Sequence, residues 1–204
     1  YLVAVYVWSV YTECMHGMPS ERPVRVAVPV NLRPYFNSIT TKNFFVMVSA
    51  EFHPTKEIYT FEEVLKSVSE SLRSQISREN LEKLFSYNVS NEKLLAARIV
   101  PLFLKNLAMR YVYTTSALAN TATVTNIGNI SVSEEYRPYV EMFHAFLAMS
   151  KGQHLKGTIC SYGDTLVFSF SYDLTDTSVQ RGFFRKIAAD GIAVEIETNG
   201  VNYE

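Results

Sequence analysis

Cysteine is nearly absent: only Cys14 and Cys160 occur in the 204 residues, far apart in sequence. No Cys-x-x-Cys pair exists, so neither a zinc ribbon nor a dithiol redox motif is encoded. The two thiols are expected to be reduced and buried rather than bridged. Glycine is sparse as well, and its eight copies are isolated from one another. No phosphate-cradling Gly-rich loop and no Gly-x-Ser-x-Gly elbow can form from them. Ser38, Thr40 and Ser116 therefore have no nucleophile context. Charge of one sign is missing too: the net charge is −1, which leaves no electrostatic footprint for nucleic acid. Residues 1–12 lack a basic segment followed by a small-residue cleavage site, so no signal peptide is read and a cytoplasmic location is expected. The longest apolar stretch, residues 94–119, is interrupted by Arg98, Pro101, Lys105 and Arg110. A membrane span needs about 20 mostly apolar residues. The stretch reads as buried helix, and no transmembrane segment is expected.

What is present suits one folded domain. Apolar residues make up 48% of the chain and charged residues 19%, enough for a sizeable core. Tyr and Phe, 13 of each, are spread along the chain rather than boxed, and read as core and interface filling.

The pattern gives an element order of α, β, β, α, α, β, β, β, β, α, β. Residues 2–15 suit a helix stopped by Gly17. Val24, Val26, Val28 and Val30 alternate with Arg25, Ala27 and Pro29 as a strand. A polar loop over 33–42 leads to a second strand over 43–52. Thr60 caps a helix whose apolar face is Phe61, Val64, Leu65, Val68, Leu72 and Ile76, with Glu62 and Glu63 in the first turn. Residues 79–90 are ambiguous, and 91–111 are expected to be a helix broken near Pro101. Thr121–Thr125 is a short β-branched run ending in Asn126-Ile127-Gly128. Residues 140–149 are expected to form a strand. A hairpin joins 154–161 to 165–172 through Tyr162-Gly163-Asp164. Asp176 or Thr177 opens a helix with Val179, Phe183, Phe184 and Ile187 on its apolar face, ended by Gly191. Ile192, Val194 and Ile196 then alternate as a last strand. Mixed order with an antiparallel hairpin predicts an α/β fold, a two-layer sandwich of helices on a mixed β-sheet.

Catalytic candidates are few. The four histidines, His16, His53, His144 and His154, are not adjacent, and none has a carboxylate at relay spacing in sequence. No metal set is read, and no residue is assigned a catalytic role. Asn31 and Arg33 at a strand end before Pro34 read as a loop anchor, by local and fork-like hydrogen bonds. Asp173 reads as a cap for the helix that follows. Asn126 and Gly128 allow two readings: a strand-end turn, or a site where the backbone approaches a ligand closely.

Four groups of residues carry a resemblance. Pro29-Val30-Asn31-Leu32-Arg33-Pro34 closes a strand after a helix. Asn43-Phe44-Phe45 opens the next strand, and Thr125-Asn126-Ile127-Gly128 is similar to a Ser-Asn-Leu-Gly motif. Tyr172-Asp173 followed by Arg181-Gly182-Phe183-Phe184 closes the series. In this order, over nearly the whole chain, they resemble the C-terminal lobe of the chloramphenicol-acetyltransferase-like superfamily. That superfamily includes non-ribosomal peptide condensation domains, alcohol O-acetyltransferases and wax ester synthases.

The resemblance implies half of a two-lobed acyltransferase with the active site in a tunnel between lobes. The N-terminal lobe of such enzymes supplies a histidine base in a His-His-x-x-x-Asp-Gly motif, which occurs nowhere here. The chain is thus expected to be inactive alone, with the missing N-terminal lobe as its partner. No tightly bound cofactor is implied; acyl-coenzyme A or an acyl-carrier-protein thioester would be the donor, and an alcohol or amine the acceptor. Thr125, Asn126 and Gly128 become substrate-tunnel candidates, and Asn31, Arg33, Asn43 and Asp173 structural positions. A non-catalytic interaction module of the same fold, self-associating through the exposed lobe interface as a homodimer, is the alternative. A single-lobe trimeric enzyme is disfavoured, because Lys186 stands where its histidine would precede Asp190-Gly191.

Overall fold

Alternating valines put every second side chain of residues 24–30 on one face of an extended chain. In the computed structural model, which describes residues 1–93 and 100–199, this segment is strand β1, Val24–Asn31. It pairs antiparallel along its length with β2, Phe45–Phe52. β3, Ala122–Asn129, runs parallel to β1, and β4, Leu155–Tyr162, runs parallel to β3. β5, Thr165–Tyr172, returns antiparallel to β4 through the expected hairpin. The result is one mixed five-stranded sheet in the order β2-β1-β3-β4-β5.

Helix α1, Leu2–Ser9, α2, Phe61–Gln75, and α5, Ser178–Ala189, pack against this sheet as a second layer. Their core joins Val5 and Tyr6 of α1, Val26, Ala50 and Val124 of the strands, Val64 and Val68 of α2, and Phe183 of α5. The architecture is α/β in two layers. A smaller core around Leu32, Val46 and Val48 is closed by Leu81 of α3, Arg78–Lys93. The ambiguous stretch 79–90 is therefore helical. α4, Leu102–Leu118, starts just after Pro101 and runs past the expected end at 111. Part of the expected 91–111 helix, residues 94–99, lies outside the described residues.

Local chemistry explains the helix ends. Thr60 accepts the Glu63 amide at 3.3 Å while Glu63 accepts the Thr60 amide at 2.8 Å, a reciprocal capping box. Its bonds to Lys56 and the Thr60 amide hold the Glu63 carboxyl below its ordinary range. α1 widens at its end into a π turn, Val10–Cys14. Ser9 and Thr12 hydroxyls bond back to Val5 and Trp8 carbonyls at 2.8 and 3.1 Å and compete with the regular ladder.

Two expected strands are not strands. Residues 140–149 form no ladder. They lie across β4 as a strap, with Phe143, Ala145 and Leu147 half-buried and their neighbours exposed. Side chains hold the strap: Cys160 Sγ donates to the Phe143 carbonyl at 3.1 Å and Lys156 Nζ to the Ala148 carbonyl at 2.7 Å. A strap with one covered face shares the period of a strand, so alternation alone cannot separate them. Residues 192–197 are likewise unpaired; Val194 packs on the core while Ile192 and Ile196 stay exposed.

The edge of β2 is closed by side chains. Gln75 accepts the Ser49 amide at 3.0 Å and donates to the Ser49 carbonyl at 2.7 Å, as a neighbouring strand would. Ser71 accepts the Glu51 amide at 3.1 Å. Open edges template pairing with other chains. Gln75→Ala is expected to cost about 1 kcal/mol, because the Ser49 amide loses its partner while the Ser49 carbonyl keeps the Ser71 hydroxyl at 3.2 Å. Chemical denaturation measures the cost, and light scattering should show faster aggregation; an unchanged midpoint would contradict the role.

Candidate functional site

Strand β3 carries the residues singled out for the tunnel. Thr125 is half-buried and paired with Thr158 of β4. The pairing then slips: Asn126 faces Ile159 and Gly128 faces Cys160, so Ile127 is the extra residue of a bulge. Gly128 has φ +87°, in the left-handed region that side chains resist. A Cβ there would meet nothing within 4 Å, so backbone conformation, not space, calls for glycine. Asn126 stabilises the bulge through its side chain, Oδ1 accepting the Gly128 amide at 2.9 Å. Asn126 and Ile127 are exposed, and the site is an open surface. The amide Nδ2 of Asn126 has no partner among the described residues and can donate to an incoming carbonyl oxygen.

Arg33 ties the loop after β1. Its guanidinium donates to the Lys42 carbonyl at 2.8 Å and to the Thr40 carbonyl at 3.1 Å. The Arg33 amide donates to Asn31 Oδ1 at 3.1 Å. Asn43 is exposed and precedes β2.

Asp173 does not cap the following helix. Asp176 does that work: its carboxylate accepts the Ser178 amide at 2.8 Å and the Ser178 hydroxyl at 3.0 Å. Those bonds hold its carboxyl below the usual range. Asp173 instead accepts from His154 Nδ1 at 3.0 Å. The antiparallel register of β4 and β5 brings the two together across 19 residues of sequence. Sequence spacing missed the pair, yet the hairpin register implies it: Leu155 faces Tyr172, so the next positions outward are His154 and Asp173. Two more histidines have carboxylate neighbours, His53 with Glu51 at 3.4 Å and His144 with Glu197 at 3.6 Å. The expectation of histidines without carboxylate partners is thus corrected.

These pairs are not assembled around the bulge. His154 lies at the start of β4, five residues from Ile159, or about 16 Å along a strand. Among the described residues, no histidine hydrogen-bonds Thr125, Asn126 or Gly128. No group of three or more His, Cys, Asp or Glu among the described residues is placed to hold a metal ion. No helix among them is long and apolar enough to cross a membrane.

A buried lysine was also missed. Lys156 is 6% exposed and donates to the Ser150 hydroxyl at 2.8 Å as well as to the strap carbonyl. It fastens the strap to the back of β4.

No known protein family matches the chain, and no curated protein sequence matches it.

Proposed function

We propose that the chain is the C-terminal lobe of a two-lobed acyltransferase. It would work with a partner lobe to move an acyl group from a coenzyme A or acyl-carrier-protein thioester to an alcohol or amine. One observation carries the reading: an exposed strand-end bulge offers the Asn126 amide as a donor while no described histidine bonds to it. A donor without a base suits one wall of a shared site.

The chemistry follows from that division. The acceptor oxygen or nitrogen attacks the thioester carbonyl carbon, and a C–O or C–N bond forms as the C–S bond breaks. The acceptor's proton passes to a base, and the leaving thiolate takes up a proton. Asn126 Nδ2 would donate to the carbonyl oxygen as negative charge develops on it. The base comes from the partner lobe, where the resembled enzymes carry paired histidines.

Thiol release from acetyl-coenzyme A, with a simple alcohol as acceptor, tests the proposal on the natural gene product. Asn126→Asp keeps the Oδ1 acceptor for the Gly128 amide but removes the Nδ2 donor. It should leave thermal stability nearly unchanged and lower kcat by about 10²-fold, the scale of one lost oxyanion donor. Asn126→Ala should lose stability as well. If Asn126→Asp keeps full kcat, Asn126 belongs only to the turn.

The non-catalytic reading is favoured by a separate feature, the apolar surface of α4. A natural product that binds partners but releases no thiol would decide for it.

A further inference from the structure

The sheet has two edges, and side chains close only one of them. Gln75 and Ser71 bond the edge of β2, while β5 forms the other edge. The pairing of β5 with β4 runs from Thr165 to Tyr172 without a slip, and the Asp173 amide extends it by donating to the His154 carbonyl at 3.3 Å. Backbone groups of successive residues in an antiparallel strand point to alternate sides. Asp173 points toward β4, and so do Ser171, Ser169, Val167 and Thr165. Leu166, Phe168, Phe170 and Tyr172 therefore turn their amides and carbonyls outward. No hydrogen bond from a described residue reaches these outward groups. Buried backbone groups are rarely left unpaired, so this row is open to water or to another chain.

β5 also lacks the devices that keep an edge from pairing. It carries no charge and no proline, and its ladder has no bulge. The chain's own candidate strand, residues 192–197, does not fill the place. Val194 packs on the core, Glu197 lies 3.6 Å from His144 in the strap, and the segment forms no ladder with β5. Self-complementarity selects the occupant. When β5 meets a second β5 antiparallel about a two-fold axis at Ser169, outward groups meet outward groups along the strand in about eight hydrogen bonds. Phe168 then falls opposite the second copy's Phe170, and Leu166 opposite its Tyr172, apolar pairs that stabilise a ladder. Asp164 and Asp173 at the strand ends fall opposite Leu174 and Thr165, so no like charges are opposed within the ladder.

The geometry points to β5 as the seam of a two-fold dimer, in which the five-stranded sheets of two copies join edge to edge into one continuous sheet. β3 lies two strands in from this seam, so the Asn126 bulge stays open in the dimer. The inference therefore does not rest on acyl transfer, and its test stands apart from thiol release.

Sedimentation of the chain should show a dimer that grows with concentration. Leu166 is 56% exposed and its amide points outward, so Leu166→Pro costs the fold no ladder bond. It should weaken the dimer at least about tenfold, because the axis applies the loss twice, and leave the melting temperature of the monomer nearly unchanged. Cysteine substitution reads the register. At the axis Ser169 faces its own copy in a non-hydrogen-bonded pair, with about 4.5 Å between Cα atoms, within reach of a disulfide. Ser171 faces Val167 instead and stands about 14 Å from the second Ser171. Under oxidised glutathione, Ser169→Cys should give a covalent dimer on a denaturing gel. Ser171→Cys should give none beyond the background of Cys14 and Cys160 in the unaltered chain. A monomer at every concentration with no Ser169→Cys cross-link overturns the inference. So does a dimer that Leu166→Pro leaves intact, or equal cross-linking by the two cysteine variants.

Discussion

Phe183→Ala is expected to lower stability by about 3–5 kcal/mol, the range for removing a large buried aromatic side chain. Phe183 is fully buried in α5, and its ring lies 4.3 Å from Phe168 and 5.2 Å from Phe170 of β5 between centroids. Tyr6 of α1 lies 6.3 Å away on a third element. One ring thus joins α1, β5 and α5, and its loss leaves a cavity that three elements would have to collapse together to fill. For a chain of this length the melting temperature should fall by roughly 6–20 °C. Tyr6→Phe separates packing from polarity at the same place. The Tyr6 hydroxyl is buried without a hydrogen-bond partner among the described residues, and burial pushes its pKa up. Its removal should be neutral or stabilising, because an unsatisfied buried group is lost and the ring stays. A Tyr6→Phe variant that loses stability would show that the hydroxyl is satisfied in solution.

Gly157→Ala should destabilise by about 1–3 kcal/mol, the cost of overpacking a full core. Glycine within a strand is ordinarily a weak point. Here a Cβ would stand 2.7 Å from Phe168 Cζ, 3.0 Å from its Cε1 and 3.2 Å from Val124 Cγ2. β4 is buried on both faces, so the strand cannot move away from the clash. The ring would have to turn, and it lies against Phe183 and Phe170. Phe168→Leu in the same chain should restore part of the loss. A double-mutant cycle should then give a coupling of at least about 0.5 kcal/mol. Strictly additive effects would mean that the ring is not what Gly157 accommodates.

Most of the sheet was legible because its elements carry local signals. The valine alternation, the Thr60 cap and the Tyr162-Gly163-Asp164 turn each act within a few residues. What stayed illegible depends on contacts between distant segments. The strap over β4 alternates like a strand, but its carbonyls are claimed by the Cys160 and Lys156 side chains instead of a ladder. Asp173 reads as a cap until the hairpin register sets it beside His154. The Asn126–Gly128 motif was visible in sequence, but not the bulge at Ile127, because a bulge is a property of two strands. α4 was read as buried helix from its composition, whereas the described fold leaves it uncovered.

The most direct measurement is the intact mass of the native gene product, with peptide mapping on the N-terminal side of Tyr1. The account predicts a product of roughly twice this length, as a two-lobed enzyme requires, with a His-His-x-x-x-Asp-Gly motif upstream. A native product without that motif would contradict it, and the fold would then serve binding or assembly rather than transfer.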